Sequence, residues 1–226
     1  MKNRTIIVAQ ILVAVAVAWT FTGCSLFGLD LQKDYNRKPH ILDPEVHMSA
    51  WDYLKKRSVE NDPDSIFKFM YDAIIYSGID TNLYTQSGNT FILLHNDAIN
   101  RVVKKVTQPD CFFGANPVNG KPATSWSDYP KETVKDYLMY LIVIGEFTHV
   151  KNLTINDTLV STMLPTGTWP ENQASKMALE VLNASPSNTN DYPIRINDSV
   201  NVRTSDLIPT NGVIQVVDRY IPTRLP

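Results

Sequence analysis

An apolar run from Ile6 to Trp19, preceded by Lys2 and Arg4 and free of charge, is the first pattern along the chain. Ser25 to Pro39 then mixes Gly, Lys, Asp, Asn and Arg with no hydrophobic period, as a tether does. Periodicity begins near Ile41. Ser49-Ala50-Trp51-Asp52 reads as a capping box opening a helix with Trp51 and Leu54 on one side. Asp62 as cap and Pro63 at the first position predict a second helix, on which Ile66, Met70, Ala73, Ile74 and Ser77 recur at helical spacing before Gly78 ends it. Asn89 to Leu94 is a β-rich run, and Asn96-Asp97 predicts a cap for a helix reaching about Val106. Residues 107–129, rich in Pro, Gly, Asn and Ser, exceed an ordinary connection of ~4 to 6 residues and predict an exposed loop insertion.

A helix is predicted from Pro130 through Val134, Tyr137, Leu138 and Tyr140, with Leu141 to Ile144 extending into Gly145. Met177, Leu179 and Val181 alternate with Lys176 and Glu180, and Ile194 and Ile196 pair with Val200 and Val202 around an Asn197-Asp198 turn. Val213 to Ile221 is the last predicted strand. Helices in the N-terminal half and strands in the C-terminal half predict an α+β fold rather than alternating βα units.

The opening run has the layout of a secretory signal peptide and falls short of the ~20 apolar residues of a spanning helix. Phe21-Thr22-Gly23-Cys24 follows it and resembles the bacterial lipobox. That resemblance implies cleavage after residue 23, a lipid on the thiol of Cys24, and attachment to the membrane through the acyl chains, each buried methylene adding ~0.8 kcal/mol. An uncleaved anchor helix is the competing reading, which the lack of a stop-transfer flank disfavours. The organisation expected is a signal peptide over 1–23, a tether over 24–40, one domain over 41–222 and a tail over 223–226. Ser25-Leu26-Phe27 lacks the acidic residue that retains many lipoproteins at the inner membrane, so the expected location is the outer membrane of the cell envelope, with surface exposure open.

Composition narrows the chemistry. With 21 basic against 23 acidic side chains the net charge is −2, and no basic cluster interleaves with aromatics, which argues against nucleic acid as a partner. Cys24 and Cys111 are the two cysteines, so once Cys24 is acylated no intramolecular disulfide is expected. Cys111, in Asp110-Cys111-Phe112-Phe113, reads as a small buried hydrophobe. No metal-ligand spacing, Gly-x-Ser-x-Gly elbow, phosphate loop or dinucleotide fingerprint occurs; no cofactor, metal or catalytic residue is expected. His40, His47, His95 and His149 read as surface or satisfied core histidines rather than catalytic bases.

Four segments together resemble a fasciclin domain. Residues Asn89 to Ile99, with Thr90, Phe91 and Asp97 at motif positions, resemble that family's first signature, a strand of the type T-V-F-A-P-T leading into a helix D-E-A-F. Leu138 to Gly145, with Tyr140, is similar to its central Leu-Leu-Tyr-His-Val-Val-Pro-Gly segment. Thr204 to Gly212, with Asp206, and Val213 to Ile221, with Asp218, resemble the terminal A-T-N-G-V-I-H-V-I-D signature, in which Asn211, Gly212 and Val213 stand as the family has them. The resemblance spans roughly residues 41–222 and implies a single fasciclin-like domain, a β-sandwich wedge flanked by helices. Independently of it, Asn211-Gly212 predicts a turn of positive φ leading into a strand buried on both faces. Leu141 replaces the family's central histidine, Ile144 its proline, and Gln215 a frequent histidine. Tyr140 and Asp206 align with a region linked in animal members to integrin contact, but their neighbours differ, and Tyr140 is expected to be structural.

The family acts through surfaces, so the expected function is a non-catalytic adhesion or protein-interaction module, held at the membrane by lipid and meeting a protein or glycan partner at the cell envelope. The alternative is an accessory lipoprotein of an outer-membrane nutrient-uptake assembly, in which Trp126 and Trp169 offer stacking faces to glycan or peptide; loop-pinning by both tryptophans is the simpler account. Asp64-Ser65-Ile66, Asp157-Thr158-Leu159 and Asp198-Ser199-Val200 resemble a bacterial O-glycan acceptor pattern that ordinary turn chemistry also explains.

Overall fold

A computed structural model describes residues 43–59, 65–182 and 192–225, all within one compact unit. Helix α1 (Ala50–Lys56) precedes α2 (Lys68–Ser77) and a 3-10 turn at Thr81–Tyr84. Strand β1 (Asn89–Leu94), the one-turn α3 (Asn96–Ile99), β2 (Val102–Val103), β3 (Val106–Thr107) and α4 (Phe112–Ala115) follow. A 3-10 turn at Trp126–Asp128 leads to α5 (Lys131–Tyr140) and β4 (Ile142–Ile144). The C-terminal part is β5 (Thr158–Ser161), β6 (Lys176–Val181), β7 (Ile194–Ile196), β8 (Val200–Asn201), β9 (Thr204–Leu207) and β10 (Gly212–Val217).

This is a mixed α+β fold with two four-stranded sheets. In the first, ordered β4-β1-β10-β9, the central pair is parallel and in register from Asn89↔Gly212 to Leu94↔Val217. All six positions of β1 are buried, and so are five of the six in β10, which explains their continuous apolar runs: strands covered on both faces have no reason to alternate. The second sheet, β5-β6-β7-β8, is an antiparallel meander. Its β5 does alternate, Leu159 exposed and Val160 buried. The Met163 N–H donates to Ile142 O at 2.8 Å, joining the sheets where β4 leaves α5. Helices α2 and α5 pack together, and one core runs from Leu54 and Phe67 through Phe91, Tyr140 and Ile214 to Ile196.

Ser49 caps α1 as expected: its Oγ accepts from the Asp52 N–H at 3.1 Å, and Trp51 stacks on Tyr71 at 5.9 Å while Leu54 is buried. The α2 face is also as expected, Met70, Ala73, Ile74 and Ser77 buried and Gly78 at φ 68°. Asp62 and Pro63 lie outside the described residues. Regular α2 starts at Lys68, because Ser65 at φ 38° breaks the backbone just before it.

Three expectations are corrected. The helix from Asn96 stops at Ile99, where Asn100 turns extended, and Val102 to Thr107 form a hairpin with Lys104 and Lys105 at positive φ; three β-branched valines beside a tight turn favour strand over helix. Residues 107–129 are not an exposed insertion, since Cys111, Phe112, Phe113, Ala123 and Trp126 are buried. Phe112 meets the rings of Trp126, Tyr137, Tyr129 and Tyr220 at 4.8–5.6 Å, so the segment plugs the domain despite its polar composition. The last strand ends at Val217 rather than Ile221, as the chain bends at Asp218.

Candidate functional site

The residues singled out by the fasciclin resemblance converge on the first sheet. Thr90 on β1 sits opposite Val143 on β4 and Val213 on β10. Its hydroxyl donates to Gly145 O at 2.8 Å and accepts from the Phe147 N–H at 2.9 Å, tying down the chain after β4. Phe91 stacks on buried Tyr84 at 6.0 Å. Asn211 is a buried brace: Oδ1 accepts from the Ala50 N–H at 2.8 Å, and Nδ2 donates to Tyr84 O and Gln86 O at 3.0 and 3.1 Å. It holds the start of α1 and the 3-10 turn against the mouth of β10. The turn expected at Asn211-Gly212 is present over Thr210 and Asn211, and Gly212 is required after it by close approach, because a Cβ would lie 2.1 Å from Asn89 O.

Tyr140 is structural. Its hydroxyl accepts from Asn197 Nδ2 at 2.7 Å and donates to Lys176 O at 3.2 Å, linking the end of α5 to the second sheet; burial pushes its pKa up to about 12. Asp97 occupies the first turn of α3, whose amide cap is His95: His95 Nδ1 accepts from the Asp97 N–H at 3.2 Å. Asp218 pairs with Arg203 at 3.4 Å and Arg219 at 3.3 Å. Among these motif positions, Asp206 alone joins a chemically rich cluster.

Asp206 sits at φ 58° on β9. Its Oδ2 lies 2.7 Å from His149 Nδ1 and accepts from the His149 N–H at 3.1 Å; its Oδ1 accepts from Gln215 Nε2 at 2.9 Å. Gln215 Oε1 accepts from the Asp206 N–H at 3.0 Å while Nε2 also donates to Phe147 O. The other ring nitrogen, Nε2, lies 2.6 Å from Tyr192 O. Both imidazole nitrogens thus face acceptors, and every strong group in the cluster is engaged in holding residues 146–149 onto β9 and β10. Such a cluster positions loops; its proton-transferring atoms are already spent on the fold.

A second polar concentration is a cavity of about 280 Å³ where α1, the approach to α2, the start of α3 and β9–β10 meet. Arg57, His95, Arg203 and Thr204 line it beside apolar Phe67, Leu207 and Val216. Burial of His95 and, less strongly, the Arg203 charge lower its pKa below 6.5, against the opposing pull of Asp97 and Asp218. The ring is therefore neutral near pH 7, with Nδ1 accepting and Nε2 carrying the proton.

Other expected features fall elsewhere. Trp126 is buried with its indole N–H donating to Phe69 O at 2.8 Å, and Trp169 is half-buried against Tyr140 at 5.1 Å, so both pin their loops. Cys111 is buried and donates its S–H to Gln108 O at 3.1 Å. Asp157, Glu180 and Asp198 approach one another, but Arg195 Nε donates to Glu180 at 2.6 Å and its guanidinium reaches Asp198 at 3.1 Å, making this a clasp across β6 and β7. Cys24 lies outside the described residues. Among the described residues no helix is long and apolar enough to cross a membrane.

No family model and no curated protein matches the chain. Among solved structures it is similar to a FAS1 domain pair from the insect cell adhesion molecule fasciclin I, with a TM-score of 0.45 and 12% identity over 71% of this chain and 46% of that one. The chain spans about half the length of that structure.

Sequence reasoning missed both polar concentrations. The Asp206 cluster left one trace, the glutamine at position 215 where the family often has histidine. The cavity left none, because its basic residues are 57, 95 and 203, scattered over separate elements.

Proposed function

We propose that the chain is an exported lipoprotein of the cell envelope, anchored through Cys24, and that its domain is a fasciclin-type adhesion or protein-interaction module without catalytic activity. The observation that carries the reading is the placement of the four motif segments: 89–99, 138–145, 204–212 and 213–221 meet in a single sheet and its flanks, where Thr90 and Asn211 serve as internal braces and Gly212 permits the close approach of β1. Motif residues spent on the scaffold leave recognition to the surrounding loops, as in a display module.

The anchor is tested by growing cells with a radioactive fatty acid. Label is expected in the wild-type protein and absent from Cys24→Ala; label retained by the variant overturns the lipid attachment. Adhesion is tested by deletion: cells are expected to lose aggregation or surface attachment, and protease added to intact cells should clip the tagged protein. Unchanged attachment together with recovery of a transporter in a pull-down would replace this reading with the uptake-accessory one.

A further inference from the structure

The cavity between α1, α3 and β9–β10 gathers basic and donor groups that the scaffold uses only in part. Arg57 and Arg203 both border it, and among the described residues lining it none is acidic. Arg203 has a half-exposed side chain whose long contact to Asp218, 3.4 Å, leaves most of the guanidinium fork for another acceptor. Arg57 makes interactions of its own, so Arg203 is the principal cation offered to a ligand. The α3 cap commits His95 Nδ1 as an acceptor, which makes Nε2–H a donor. The Thr204 hydroxyl adds a fourth polar group.

The remaining wall is the Tyr53 ring with apolar Ile66, Phe67, Leu207 and Val216; Phe67 and Val216 are buried, and Tyr53, Ile66 and Leu207 are partly exposed. An oxyanion seated against the open side of the Arg203 guanidinium accepts charge-assisted hydrogen bonds from it. The volume lies near the lower end of the ~300–1,000 Å³ found for small-molecule sites, which suits a ligand about as large as an aromatic side chain and excludes a polymer lying within it.

We propose that this cavity binds a small ligand consisting of an oxyanion, carboxylate or phosphate, on an apolar body. Arg203 takes the oxyanion with Arg57 at the border, His95 Nε2–H and the Thr204 hydroxyl complete its hydrogen bonds, and Ile66, Leu207 and the Tyr53 ring cover the apolar part. The site needs neither the lipid anchor nor the family assignment, so it stands or falls separately from the proposed function.

The test is proton NMR of the full chain in detergent, following the histidine ring resonances. There are four histidines, and His95 is assigned by its loss in His95→Asn. The probes are phenylacetate, phenyl phosphate, inorganic phosphate and neutral 2-phenylethanol. Phenylacetate, phenyl phosphate or both should shift the His95 resonances and saturate below roughly 10 mM, within the affinity range of small-fragment binding. Which of the two binds more tightly identifies the oxyanion. Inorganic phosphate and 2-phenylethanol should each bind at least tenfold more weakly than the better of them.

Arg203→Gln should weaken binding at least tenfold and Arg203→Lys, which keeps charge but loses the fork, by less; Lys104→Gln, in the β2–β3 turn and outside the lining, should change nothing. Circular dichroism confirms folding, and the Lys variant serves if the Gln variant does not fold. The proposal is overturned if no anionic probe gives a saturable His95 shift, if 2-phenylethanol or inorganic phosphate binds as well as the substituted anions, or if a folded Arg203 variant binds like wild type.

Discussion

The two four-stranded sheets are built on opposite principles. In β4-β1-β10-β9 the central strands pair in parallel although more than 100 positions separate them in sequence, and both are buried almost throughout. In β5-β6-β7-β8 every strand pairs antiparallel with its neighbour in sequence. The first sheet forms only after a long loop closes, at an entropic cost that local hairpins avoid. Yet a buried asparagine at a strand end of each sheet has the same office. Asn211 ties the first sheet to α1 and the 3-10 turn. Asn197 ties the second to α5 and the C-terminal segment: Oδ1 accepts from the Ala178 N–H at 2.8 Å, and Nδ2 donates to Tyr140 Oη and Pro222 O, each at 2.7 Å. Three-way amide braces therefore fix both kinds of sheet, whatever their sequence separation.

The largest expected effect breaks the non-local sheet. Gly212→Val should cost more than about 4 kcal/mol, enough to unfold a marginal domain, since its Cβ overlaps the Asn89 carbonyl; urea denaturation reads it directly. Asn211→Ala should follow at about 3 kcal/mol, because one amide N–H and two carbonyls lose their partner in a buried setting. The matched change in the meander separates brace from turn. Asn197 sits at φ 47°, so Asn197→Gly tolerates the backbone and loses only the brace, while Asn197→Ala loses both and should be less stable by about 1 kcal/mol.

A smaller contrast uses one substitution at two buried rings. The Tyr140 hydroxyl has two partners, so Tyr140→Phe should cost about 1–2 kcal/mol. The Tyr84 hydroxyl is buried with no hydrogen-bond partner among the described residues, so Tyr84→Phe should be neutral or stabilising by up to about 1 kcal/mol. Thermal melts of the two variants should move in opposite directions or differ clearly in size.

The smallest effect is pH-dependent. His95 has its folded-state pKa lowered from 6.5, mainly by burial, so between that value and the lower folded one the unfolded chain binds more protons. Stability then rises with pH across this window and falls on acidification through it. His95→Asn, which keeps a cap acceptor, should flatten that part of the stability profile. An unchanged slope would assign the acid sensitivity to other groups.

What was legible in the sequence follows from the same contrast. Hairpin β7–β8 was readable because its apolar pairs flank Asn197 and Asp198, residues that tolerate positive φ. The α2 face and the end of α5 were readable from helical spacing. The parallel pairing of β1 with β10 has no local signature and was not read from the sequence; the family resemblance marked both strands without pairing them. Residues 107–129 misled because their Pro, Gly, Asn and Ser read as a loop while Phe112, Phe113 and Trp126 decide their packing. The cavity was invisible, and the polar cluster left only Gln215 as a trace, because each gathers side chains from three or more separate segments.

Amide hydrogen exchange with residue resolution tests the central claim, that the motif segments build one non-local scaffold. Amides of Phe91 to Leu94 and Val213 to Val217 should exchange only through global unfolding, with those of β5 and β8 opening at lower free energy. Equal or faster exchange in β1 and β10 than in the meander would contradict the account.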